Sequence, residues 1–246
     1  MKPNFSTLHH SLLLRRCTGF LLLLLFLSSC NTAKHHLRDG LEKASEADYS
    51  GAIEEYTLAI QKKPNDGSLY KLRGIARYEM DDLEGAMADF NRSLILAEKD
   101  PETYKFRGDI KWKQNQFKAA IEDYNQAINY QPSYAKAYNN RGLNRAKLKD
   151  TQGAIQDFTQ AIALQPDYSI AYLNRANLYM RQKKYKPAME DYDKVIALDP
   201  ELSTAYYNRG VLKHTLRNRK GACADWQKAS ELGNTQVMSL LQRFCK

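Results

Sequence analysis

The sequence predicts an all-α chain built as a solenoid of paired helices. Two observations carry this expectation. Small residues recur at Gly40, Gly74, Gly108, Gly142, Ala176 and Gly210, and again at Ala52, Ala86, Ala120, Ala154, Ala188 and Ala222. Aromatics recur at Tyr56, Phe90, Tyr124, Phe158, Tyr192 and Trp226, and every interval is 34 residues. No strand-like alternation persists anywhere, and Gly and Pro are sparse, 12 and 7 in 246 residues. A fixed period of this length means a stack of helical units, none of which buries its apolar face alone.

In chain order, residues 1–29 read as a signal peptide that is cleaved. Lys2, Arg15 and Arg16 form a positive region and Thr18–Leu27 an apolar core. Ten helical residues span about 15 Å, roughly half of a hydrocarbon layer, which disfavours a transmembrane span. Leu27-Ser28-Ser29-Cys30 follows. An apolar residue, two small residues and a Cys resemble the bacterial lipoprotein box, and the resemblance implies lipidation of Cys30 on sulfur, cleavage before it and further acylation such as palmitate. Two or three acyl chains give stable membrane anchoring. Residues 30–32 would then be the lipidated Cys and a short tether. Asn31 is not the Asp of the inner-membrane retention signal, which favours the periplasmic face of the outer membrane. The other reading is an ordinary secretory signal with an incidental Cys.

Residues 33–234 divide into six units: 33–66, 67–100, 101–134, 135–168, 169–202 and 203–234. Each holds one helix over about positions 1–14 and a second over about 16–28. The small residues at positions 8 and 20 let paired helices approach, and the aromatic at 24 fills the gap to the next unit. Tyr70, Tyr104, Tyr138, Tyr172 and Tyr206 stand at position 4, and Pro64, Pro132, Pro166 and Pro200 at position 32. In the second unit Glu98 replaces that proline. This spacing resembles the tetratricopeptide repeat family (TPR), and the resemblance implies a right-handed α-solenoid with a concave groove for proteins or peptides. Residues 235–246, with Val237, Leu240, Leu241 and Phe244, are expected to form a capping helix. Pro187 falls in the first turn of its helix, where a missing N–H is harmless.

A polar series accompanies the packing one. Arg73, Arg107, Arg141, Arg175 and Arg209 hold position 7; Asp89, Asp123, Asp157, Asp191 and Asp225 hold position 23. We expect Arg–carboxylate pairing within a unit or across neighbours, rather than an anion-binding stripe. The first unit has Asp39 and Glu55 instead, and the expectation there is repulsion.

Of four cysteines, Cys17 leaves with the signal and Cys30 takes the lipid. Cys223 occupies a slot held elsewhere by Ile or Met, and Cys245 lies in the capping segment at a similar height beyond the turn at Leu232-Gly233-Asn234. A bridge fits if the Cβ atoms come within about 4 Å; the alternative is two separate buried thiols.

The family groove is lined by positions 2, 5, 6, 9, 12 and 13 of the first helices. Here these include Leu72, Ile75 and Tyr78; Phe106 and Trp112; Asn140 and Leu143; Asn174 and Asn177; and Tyr207 and Asn208. Apolar and amide side chains mixed in one groove suit a peptide. Trp112 is a candidate hot spot, or else ordinary packing. Lys105 and Asn140 match two positions of a known carboxylate clamp, but Asp109, Ile170 and Asn174 do not, so that clamp is rejected.

No catalytic, cofactor or metal set emerges. His35 and His36 are adjacent and point apart on a helix, no Gly-rich phosphate loop occurs, and Ser and Cys lack a base at recurring spacing. The net charge is +9, or about +6 without the three signal-segment cations, and the basic residues are spread over all units. The sequence is therefore read as a non-enzymatic, membrane-anchored scaffold of a bacterial envelope, binding a protein or peptide, with no oligomeric state assigned. The alternatives are a periplasmic glycan or cell-wall-fragment binder and, less favoured, a cytoplasmic nucleic-acid-binding array.

Overall fold

The computed structural model describes residues 32–97 and 99–246. The signal segment, Cys30, Asn31 and Glu98 lie outside the described residues. The described residues form helices and turns, with no strand among them. The fold is all-α, of the solenoid type, in helix–turn–helix pairs. Two compact units meet in sequence at Phe106 and Arg107.

The first unit contains α1 (residues 32–45), α2 (Tyr49–Lys62), α3 (Gly67–Glu79) and α4 (Leu83–Leu96), and the start of α5 (Pro101–Lys113). Its core joins one helix pair to the first helix of the next: Ala52 and Tyr56 of α2 meet Ala76 of α3. Ala59 and Ile60 likewise meet Leu69.

The second unit continues with α6 (Phe117–Tyr130), α7 (Ala135–Lys147), α8 (Thr151–Leu164), α9 (Ser169–Arg181), α10 (Tyr185–Leu198), α11 (Ser203–Thr215) and α12 (Arg219–Glu231). The same packing recurs. Phe158 of α8 clusters with Leu178 of α9, and Tyr192 of α10 with Leu212 of α11. The pairing of position 8 with position 24 is steric. A Cβ on Gly142 would lie 2.8 Å from Phe158 Cε1, and one on Gly74 would lie 2.7 Å from Phe90 Cε1. A Cβ there makes the facing ring shift, as opposite Ala176, and a larger side chain would push the two helices apart.

Turn chemistry explains the fixed period. After each first helix comes a residue in the left-handed region: Ala47, Asp81, Asn115, Lys149, Lys183 and Arg217, with φ from 58° to 67°. The next N–H reaches back five residues, as in Asp150 N to Arg145 O at 2.9 Å. This is the Schellman closure of a helix C-terminus. Four of the second helices then start on a side-chain cap: Asp48, Asp82, Asp150 and Asn218 accept from the N–H of Gly51, Gly85, Gly153 and Gly221. Cap and glycine go together because a Cβ on Gly153 would sit 2.2 Å from Asp150 Oδ2. The two second helices without such a cap carry Ala119 and Pro187 at the glycine's place. Pro187 has no N–H to cap, so Lys184 costs nothing there.

The Arg–Asp series pairs within each helix pair. Arg73, Arg107, Arg141, Arg175 and Arg209 each grip the Asp sixteen residues on through Nε and Nη2, at 2.6–3.0 Å. The same guanidinium also reaches the preceding pair: Arg73 Nη1 donates to Thr57, Arg141 to Asn125, Arg175 to Thr159 and Arg209 to Asp193. One side chain thus fixes both the pair and its neighbour.

The first pair corrects the expectation of repulsion. His36 Nδ1 lies 2.8 Å and Lys43 Nζ 3.3 Å from the Glu55 carboxylate, while Asp39 pairs with Arg38 and His35. The acids are separated onto different cations. Those hydrogen bonds, the one to His36 first, hold Glu55 below the ordinary glutamate range despite some desolvation.

The last segment is not one helix. Gly233, at φ 84°, turns the chain. A 3₁₀ turn, Thr235–Val237, precedes α13 (Met238–Phe244). Val237 is fully buried against Trp226 and Ala229, with Leu240, Leu241 and Phe244 beside them. Cys223 and Cys245 are disulfide-bonded, with Cα atoms 5.6 Å apart. Arg219 donates to the carbonyls of Phe244 and Lys246.

Candidate functional site

The groove expected from the sequence falls on both units. Leu72, Ile75, Tyr78 and Phe106 belong to the first; Trp112, Asn140, Leu143, Asn174, Asn177, Tyr207 and Asn208 belong to the second. In the first unit the aromatic members are engaged with one another. Phe106 stacks on Phe90 at 5.6 Å between centroids, meets the edge of Tyr78 at 5.5 Å, and carries Lys105 Nζ 3.3 Å from its centroid. Trp112 is 41% exposed.

In the second unit the first helices α7, α9 and α11 wall two adjoining cavities. One, of about 160 Å3, is lined by Leu143, Ala146, Lys147 and Phe158 on one side and Asn174, Asn177, Leu178 and Arg181 on the other. The next, of about 320 Å3, lies between Asn177, Met180, Arg181 and Tyr192 and the α11 residues Tyr207, Asn208 and Val211. Asn177 and Arg181 border both.

A relay of amides sets these walls. Tyr192 donates its hydroxyl to Asn177 Oδ1 at 2.8 Å, and Asn208 Nδ2 donates to the same oxygen at 3.0 Å. Burial pushes the Tyr192 phenol well up, so it stays a neutral donor. Two repeats earlier the same three positions hold Tyr124, Asp109 and Asn140, joined at 2.7 and 2.8 Å. Asn140 Oδ1 accepts from Asn139, which in turn accepts from Asn174. Between these two, Phe158 stands in place of Tyr and Leu143 in place of the acceptor, so neither polar half is left alone. The expected groove asparagines therefore carry two roles. Each amide helps to order neighbouring first helices, and Asn174, Asn177 and Asn208 also line the cavities.

Several residues at this face were not read from the sequence. Lys147 and Arg181 are exposed at the cavity rims and make no ion pair or hydrogen bond among the described residues. Their signal was their common register at position 13. Also missed was a second cation on four of the five buried Asp. Arg77, Lys111, Arg145 and Lys213 lie 2.7–2.9 Å from Asp89, Asp123, Asp157 and Asp225. Tyr179 takes that position in α9, which breaks the series and hid it.

The two cavities are lined by apolar, amide and cationic side chains. Among the described residues no three of His, Cys, Asp and Glu converge as a metal set would. No described helix is long and apolar enough to cross a membrane.

Comparison with known proteins agrees with this geometry. A family model described as tetratricopeptide repeat matches residues 135–168 and 169–202, and another, described as TPR repeat, matches 108–149. No curated protein sequence matches the chain. Among solved structures, Pseudomonas aeruginosa pilF is similar with a TM-score of 0.78 at 14% identity, over 89% of this chain and 100% of that one. YrrB, described as a TPR protein with an unusual peptide-binding site, gives 0.63 at 20% identity, over 78% and 98%. MamA from Desulfovibrio magneticus RS-1 gives 0.63 at 20%, over 70% and 97%. At these identities the likeness is one of fold.

Proposed function

From a chain that carries tetratricopeptide repeats within a helical-repeat fold, we propose a non-catalytic scaffold that holds a segment of a partner protein against α7, α9 and α11. The observation that carries this reading is the pair of adjoining cavities that share Asn177 and Arg181. Two adjoining hollows lined by apolar, amide and cationic side chains fit successive side chains of a peptide, while the amides satisfy its backbone. The peptide-binding site ascribed to YrrB, a fold relative, is consistent with it.

We further propose that the scaffold is tethered to a bacterial envelope membrane through lipidated Cys30, at the periplasmic face of the outer membrane. The support is the sequence Leu27-Ser28-Ser29-Cys30 behind an apolar run. Purification of the full chain from detergent-solubilised envelopes tests the scaffold: a stoichiometric protein partner is expected. Its absence, together with binding to wall glycans, overturns that reading. Radiolabelled palmitate tests the tether: label should enter the protein and be lost in Cys30→Ala, and an unlabelled wild type contradicts it.

A further inference from the structure

The chemistry of the groove in the second unit narrows its occupant, on the premise that this groove binds a peptide. We infer that the occupant is acidic: an extended segment whose carboxylate side chains meet Arg181 and Lys147, with an apolar side chain entering the hollow beside Tyr207 and Met180.

Three observations carry this. First, α7, α9 and α11 contain no Asp or Glu at any position. Second, their cations divide into two sets. Arg141 and Arg145 are taken by Asp157, Arg175 by Asp191, and Arg209 and Lys213 by Asp225. Lys136, Lys147 and Arg181 pair with no carboxylate among the described residues, and of these three Lys147 and Arg181 border the cavities. Third, Arg181 stands between the hollows, where its neighbours are Asn177, Tyr192, Leu178 and Met180. A guanidinium over apolar and amide walls binds a carboxylate in a fork that the flanking amides do not oppose. The one carboxylate associated with the amide relay, Asp109 on α5, is engaged by Tyr124 and Asn140.

Size and donors agree. A cavity near 150 Å3 accepts a benzene ring, so hollows of about 160 and 320 Å3 admit aromatic or branched apolar side chains. Asn208 gives one N–H to Asn177. Its second N–H and its oxygen are left to pair with an extended backbone, as an amide side chain can.

The test is fluorescence anisotropy of the full chain with short labelled peptides of one apolar scaffold bearing Glu, Gln or Lys at the same sites. The Glu peptide is expected to bind about tenfold more tightly than the Gln peptide at low salt, with the gap closing as salt rises. Arg181→Glu should erase the preference, and Lys194→Glu, on an exposed face of α10, should leave it. Arg181 makes no ion pair or hydrogen bond among the described residues, so the variant should stay folded, with its melt lowered only slightly by an acidic charge in the last turn of α9. Equal binding of Glu and Gln peptides, or tighter binding of the Lys peptide, overturns the acidic assignment but leaves peptide binding standing. Failure of all three peptides to bind overturns both.

Discussion

Arg141 closes on Asp157 through two bonds, Nε to Oδ2 at 3.0 Å and Nη2 to Oδ1 at 2.6 Å, and Arg145 Nη1 adds a third at 2.9 Å. Asp157 is 2% exposed, and the two cations that reach it offset the cost of burying its charge. Asp157→Ala leaves two guanidinium groups facing a cavity and should cost about 3 kcal/mol in urea unfolding. Asp191→Ala should cost less, because Tyr179 replaces the second cation. An Asp157→Ala loss below that of Asp191→Ala would contradict this ordering.

Glu55 makes stability of the first helix pair depend on acid. Its folded pKa lies below the ordinary value, so the stabilisation is complete above the usual glutamate range. It is lost as pH falls further, through the lowered folded value. Hydrogen exchange of α1 and α2 should show wild type more protected than Glu55→Gln near neutrality. The difference should vanish at acid pH. A difference that persists or grows with acid would contradict the assignment.

Lys149 holds φ 67° at a Schellman closure, where glycine is the least strained residue. Lys149→Gly should stabilise the chain by about 0.5–1 kcal/mol, and Lys149→Val should destabilise it by at least as much. Thermal melts of the two variants decide this; a loss with glycine would mean that the Lys149 side chain carries packing.

The bridge between Cys223 and Cys245 closes a loop across the terminal turn, with a sequence separation of 22. In the chain-entropy model such a loop is worth about 3 kcal/mol. Cys245→Ser should speed exchange in α12 and α13 and leave α7 through α9 unchanged. Uniform loss of protection would show that the end caps more than its own neighbour.

The sequence made the packing legible because each packing residue meets another at a fixed distance along the chain. Gly142 answers Phe158 and Arg141 answers Asp157, each sixteen residues apart, and any substitution would have broken a visible series. What stayed hidden lacked such a marker. The left-handed residue is Ala47, Asp81, Lys149 or Arg217, not the glycine that usually betrays it. Asn144 lies 1% exposed where Leu178 and Leu212 stand in later repeats, and its Oδ1 finds no partner among the described residues. Trp226 Nε1 is equally unpartnered, because Val211 occupies the place where Asp109 and Asn177 accept from tyrosine. The candidate site was legible as a register on the first helices. The division of labour among its asparagines was not, because an amide that orders helices and one that meets a ligand look alike in sequence.

The central claim is that the faces of α7, α9 and α11 hold a partner. A photoreactive residue placed at Tyr207, with the same probe at Lys194 as control, tests it in intact cells. The account predicts one protein adduct from Tyr207, mapped to an acidic segment, and none from Lys194. No adduct from Tyr207, or the same adducts from both positions, would contradict it.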